Sequence, residues 1–138
     1  MEYFFLKNTD DVPDEFGGQA CGPLIKIRPK YVGDGGLLEH EKVHVRQWYA
    51  VLALGLLVCV LLVLLVSPAF WIVGAASPSL HPLLYKFFRP YRRWSEVNAY
   101  REQIAIGGYA SNEFAVAALV EKYDLGLSID EARALIFD

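Results

Sequence analysis

The chain has 138 residues, 54% of them hydrophobic and 14% aromatic, with a net charge of −3. That length suits one domain, the apolar content excludes a disordered chain, and 13 basic against 16 acidic residues give no support to a general nucleic-acid-binding surface. Its two cysteines, Cys21 and Cys59, provide neither a disulfide framework nor a CxxC metal pair, which points to a reducing compartment.

Mean hydropathy is +0.27, and the apolar excess lies between Trp48 and Leu84. Charge brackets that stretch. Residues 1–39 carry four basic and seven acidic side chains, residues 40–101 seven basic and two acidic, and residues 102–138 two basic and seven acidic. A basic middle between two acidic ends is the pattern of a membrane-proximal layer with water-facing flanks.

In chain order, the start MEYFFLKNTDDVPDEF lacks the charged, apolar and small-residue succession of a signal peptide, so export by that route is not expected. Tyr3 to Leu6 suits a short strand and Asn8 to Glu15 an acidic loop. Leu24 to Val32 alternates apolar Ile25 and Ile27 with basic Lys26 and Arg28, the period of a half-exposed strand, and Pro29 predicts that this strand lies at a sheet edge. Asp34 is placed to cap a helix that nothing interrupts from Leu37 to Ser67-Pro68, about 30 residues or roughly 45 Å long. Its first third is polar; Ala50 to Val66 is an uninterrupted apolar run.

Residues 69–76 suit a short apolar helix and SPSLHP a partly extended return. A helix is expected from Tyr91 to Ile106, ended by Gly107-Gly108, with further helices over Asn112 to Tyr123 and Ile129 to Phe137, the last capped by Ser128. The expected fold is one domain, mainly α with a small β edge (α+β). Residues 1–33 supply strands and loops, 34–66 the long helix, 67–90 the return and a basic aromatic belt, and 91–138 the C-terminal helices.

His40-Glu41-Lys42-Val43-His44 is the chemical signal. Residues four apart share one helix face, so both imidazoles can address one zinc ion while Glu41 lies alongside to hold a water. By residue frequencies such a motif arises by chance on the order of 0.004 times in a chain this poor in histidine. A hydrolytic zinc site needs a third protein ligand and an open position. Glu96 is the stronger candidate, on a helix with small Ala99 near it for close packing; His81, between Leu80 and Pro82, is the competitor. A donor for a tetrahedral oxyanion remains open among Tyr100, Tyr109 and Arg101.

HExxH, an apolar stretch, His81-Pro82-Leu83-Leu84-Tyr85, Arg92-Arg93 and Glu96-Val97-Asn98-Ala99 together resemble the gluzincin metallopeptidases, in particular the membrane-integral HtpX-like and BlaR-type groups, and are similar to small phage-encoded peptidases. The resemblance spans about residues 37–103. It implies a minimal zincin-like domain, zinc ligands His40, His44 and Glu96, Glu41 as general base, and a peptide or protein substrate paired along Ile25, Lys26, Ile27 and Arg28. Those families place an aspartate where this chain has Tyr100. The groups that buttress the ligands must therefore differ, with Asn98, Tyr100 and Glu102 as candidates.

Ala50 to Val66 meets the lower length for crossing a hydrocarbon core of about 30 Å, and Trp48-Tyr49 gives it an aromatic border. For Glu96 to share a metal with His40 and His44 the chain must return, so residues 48–84 are expected to form a hairpin in a membrane or in a larger hydrophobic assembly such as a virion. Lys86, Arg89, Arg92 and Arg93, interleaved with Phe87, Phe88, Tyr91 and Trp94, then form a belt at one face, which the positive-inside rule makes cytoplasmic. The expected function is zinc-dependent peptide hydrolysis at a membrane. The alternative is a non-catalytic membrane or virion protein with a structural zinc site.

Overall fold

The computed structural model describes residues 3–137. Three short strands precede all of the helices: β1 (Phe5–Asn8), β2 (Gly18–Cys21) and β3 (Leu24–Ile27). Gly22, at φ +60°, turns the chain between β2 and β3 in the left-handed conformation that glycine adopts without strain. The sheet order is β1-β3-β2, with β3 parallel to β1 and antiparallel to β2. Period-two alternation does its expected work in β3, whose Ile25 and Ile27 are buried and pack with Val45.

The expectation for this strand's place needs correction. β3 is the central strand, bonded on both sides, so Ile25, Lys26, Ile27 and Arg28 offer no free edge to a substrate. Pro29 lies beyond the ladder, where it opens a 3-10 turn over Pro29–Tyr31, and for that reason carries no information about edges. Lys26 and Arg28 instead hold the acidic loop: Lys26 Nζ lies 2.7 Å from Asp11, and Arg28 donates to the carbonyls of Phe16 and Val12. The outer strands are β1 and β2; β2, which borders the cleft, is a four-residue segment too short to show a strand pattern.

Helix α1 (Gly35–Leu65) has Asp34 as its cap, which accepts from the Leu37 amide at 2.9 Å. It packs most extensively on α4 (Arg89–Gly107), which Gly108 ends at φ +60°. Gly36 makes this crossing close: a Cβ there would lie 2.7 Å from the Gln103 carbonyl and 2.8 Å from Gly107 Cα. Tyr109 ties the two helices together by donating to the capping carboxylate of Asp34 at 2.6 Å. With Ala99 fully buried, the α1–α4 pairing brings Glu96 alongside His40 and His44.

Two short helices, α5 (Glu113–Glu121) and α6 (Ile129–Phe137), cover the other face of α4. Val97, Tyr100, Val116, Leu119, Leu125 and Ile136 form the largest apolar core. Ser128 caps α6 in a reciprocal box, its hydroxyl accepting from the Glu131 amide while the Glu131 carboxylate accepts from the Ser128 amide.

The second half of α1 projects from this body. The chain returns through a 3-10 turn (Pro68–Phe70), α2 (Trp71–Ala76), another 3-10 turn (Ser77–Ser79) and α3 (Leu80–Phe87). SPSLHP is therefore helical rather than partly extended. Pro82 lies in the first turn of α3, where a helix has no intrahelical acceptor for its amide to lose. The architecture is mainly α with a small β sheet, as the sequence predicts.

Candidate metal centre and cleft

A helical spacing of four carries His40 and His44 to one face of α1, and their Nε2 atoms lie 3.3 Å apart. Glu96, reaching across from α4, places Oε2 3.5 Å from His40 Nε2 and Oε1 3.4 Å from His44 Nε2. One ligand atom from each residue lies within 4.8 Å of the others, and no other group of three such side chains occurs among the described residues. Glu96 is 1% exposed and His40 4%, so these donors converge in the interior. A buried carboxylate oxygen is ordinarily hydrogen-bonded, yet Glu96 Oε2 has no partner. Two imidazole nitrogens and an unsatisfied carboxylate oxygen on one point are a donor set that fits a divalent metal ion.

His81 is outside the group. Its Nδ1 is 2.7 Å from the Tyr91 hydroxyl, and the residue lines the cleft wall.

The buttressing groups differ from two of the three expected. Asn98 donates to the Trp94 carbonyl within its own helix at 2.8 Å, and Glu102 is exposed. Both point away because α4 turns only one face to α1, and positions 98 and 102 fall off it. Tyr100 does pack on the site, its ring edge-on to His40 with centroids 4.6 Å apart. The polar contacts come from Ser95 and Gln47. His44 Nδ1 lies 3.1 Å from Ser95 Oγ and 3.2 Å from Gln47 Oε1, and Ser95 Oγ donates to that same Oε1 at 2.5 Å. A proton on Nδ1 then leaves the Nε2 lone pair facing the centre. Tyr85, from α3, donates its hydroxyl to Glu96 Oε1. Gln47 is one turn from His44 and Ser95 adjoins Glu96, so both were findable as polar neighbours of the ligands. Tyr85 was not, because the hairpin brings it there.

Electrostatics follow burial. Burial disfavours charge on Glu96, but the neighbouring His44 and His40 and the Tyr85 hydroxyl outweigh it and hold the carboxyl below its ordinary range. Burial also lowers His44. Glu41, 4% exposed, is pushed up to about 7, chiefly by burial, with the His40 charge opposing the shift.

The centre opens into a cleft of about 780 Å³. β2 forms one wall, with Gly18 against Glu41. Trp48, His81 and Tyr85 form the wall on the hairpin side, and Lys122 and Tyr123 close a third. Compared with protein-family models, curated proteins and solved structures, the chain matches none.

Proposed function

We propose that the protein is a membrane-associated, zinc-dependent peptide hydrolase of gluzincin type. The observation that carries this reading is the position of Glu41: it lies in the cleft wall beside the His40, His44 and Glu96 donors without being one of them, beneath the free edge of β2. A site that only stabilised the fold would have no use for a buried carboxylate there.

The three donors have the number and type that zinc takes in hydrolytic sites, with a position left open. Zinc bound there would supply Lewis-acid activation of a water and of a scissile carbonyl. Glu41 takes the proton from the attacking water and returns it to the leaving amine, the role that its place beside the donors and in the cleft wall allows. Ser95 and Gln47 fix the His44 ring so that Nε2 faces inward. β2, not the strand read from the sequence, is the outer strand beside the cleft along which an extended peptide can align. The basic belt of Lys86, Arg89 and Arg93 supports a cleft that faces the cytoplasm.

The test is Glu41→Gln. The amide keeps the shape but cannot accept a proton, so metal content should remain that of the parent chain while hydrolysis of a mixed peptide library falls by about 10² to 10⁴. Equal hydrolysis by both chains would leave a metal-stabilised structural protein as the better description.

A further inference from the structure

Among the described residues, α1 is the one helix long and apolar enough to cross a membrane, and only 11% of its most apolar window is buried in the molecule. Its N-terminal half is buried in the body, but its apolar half is not part of the core. Leu57, Leu61, Leu64, Leu65, Trp71 and Ile72 are all exposed on the projecting hairpin.

The hairpin has a measurable depth. Its base is fixed by Trp48, whose indole donates to the Pro78 carbonyl at 3.0 Å. Higher up, Gly55 meets Ser77 and Cys59 meets Gly74, small residues that let the two arms touch: a Cβ on Gly55 would lie 2.5 Å from Ser77 Oγ, and one on Gly74 2.9 Å from Cys59 Sγ. From Trp48 to Leu65 the helix rises about 25 Å, and from the Gly55–Ser77 contact to its end about 15 Å. A bilayer with its headgroup layers is about 40–45 Å thick, and its hydrocarbon core about 30 Å. The arm thus matches one headgroup layer and one leaflet, and falls short of the far surface.

The tip is apolar as well. Val66 to Phe70, where the chain reverses, contains no charged residue, and none occurs from Trp48 to Leu80. A turn on the far surface would need side chains suited to water. Here amides are paired within the turn: those of Val66 and Ser67 both donate to the Leu62 carbonyl, the Phe70 amide to the Ser67 carbonyl, and the Ala69 amide to Ser67 Oγ. Backbone groups paired in this way are tolerated in hydrocarbon.

At the base the chemistry changes to that of an anionic interface. Leu83, Leu84, Phe87 and Phe88 are exposed along one side of α3, next to Lys86 and Arg93. The opposite side of α3 carries His81 and Tyr85 into the cleft. We infer that residues 48–79 form a re-entrant hairpin that enters a single leaflet of an anionic bilayer, with α3 lying flat in the headgroup layer, so that both chain ends and the metal centre remain on one side. This deepens the membrane part of the proposed function and does not depend on the metal or on hydrolysis.

The experiment uses the full chain reconstituted into phosphatidylcholine vesicles with and without a minority of phosphatidylglycerol. Ser67→Cys at the tip and Lys30→Cys on the body are compared in a Cys21→Ser, Cys59→Ala background, with unchanged helical circular dichroism certifying the fold. In vesicles with phosphatidylglycerol, Lys30→Cys should react with a membrane-impermeant maleimide from one side, and Ser67→Cys from neither side until detergent is added. In the same background, a fluorescent label attached to Ser67→Cys in detergent before reconstitution should be quenched more by a nitroxide deep in the acyl chain than by one near the headgroup. Lys86→Glu with Arg93→Glu should reduce vesicle binding several-fold when phosphatidylglycerol is present and little when it is absent. Reaction of Ser67→Cys from the side opposite Lys30→Cys means a spanning hairpin and overturns the single-leaflet inference while leaving membrane association intact. Failure to float with vesicles, or a tip shielded from both lipid quenchers in a stable oligomer, overturns membrane association itself.

Discussion

Gly18 and Glu41 are packed so closely that a Cβ on residue 18 would lie 2.9 Å from Glu41 Oε1 and 3.1 Å from its Cγ. The same Cβ would lie 2.8 Å from Ile27 Cδ1 on the neighbouring strand. The edge strand can pass directly over the proposed base only because residue 18 has no side chain. Gly18→Ala must therefore displace either β2 or the Glu41 carboxylate. Metal content should be unchanged, while hydrolysis falls about 100-fold, the loss typical of a catalytic group moved by about 1 Å. Activity at the parent level would show that β2 and Glu41 do not work as a unit.

Metal analysis of purified variants tests the donor set. His40→Ala, His44→Ala and Glu96→Ala should each lose most of the metal, because a three-ligand site has no spare donor. His81→Ala should retain it, since His81 pairs with Tyr91 outside the convergent group. Retention by Glu96→Ala would remove Glu96 from the centre.

The groups behind the ligands predict a graded effect. Ser95→Ala and Gln47→Leu free the His44 ring and should weaken metal affinity by roughly 10- to 100-fold, measured by competition with a chelating dye. Asn98→Ala and Glu102→Ala should leave affinity as it is, because neither side chain faces the centre. Equal losses in all four variants would point to a general loosening of α4.

In chelator-treated protein, Glu41 should make stability fall as pH rises. Its pKa stands near 7 in the folded chain against an ordinary 4.5, so between those values the folded state holds a proton that the unfolded state has released. The contribution is fully present below the unfolded pKa and lost as pH rises through the folded one. The shift corresponds to at most about 3 kcal/mol. Glu41→Gln, which cannot ionise, should gain stability relative to the parent between about pH 5 and about pH 8, as read by denaturant melts. A difference that stays constant with pH would show that Glu41 is not buried as a titrating carboxyl.

Local chemistry made much of this protein legible before any tertiary contact was considered. Asp34 and Ser128 announced two helix starts and Gly108 one helix end, because capping and the left-handed conformation depend on neighbours in sequence. The spacing of His40, Glu41 and His44 fixed one face of α1 for the same reason, and the absence of charge from Trp48 to Leu80 marked the projecting hairpin. What stayed hidden required distant segments to meet. Pro29 suggested an edge that β1 and β2 fill, and four residues with two small side chains gave no sign that β2 would form the cleft wall. Asn98 and Glu102 are close to Glu96 in sequence yet turn away, whereas Tyr85 reaches the centre because α3 folds back onto it. Which side chains can converge as donors is a property of residue type and helical period; what packs behind them and which strand borders the cleft are properties of packing, and only the tertiary structure decided them.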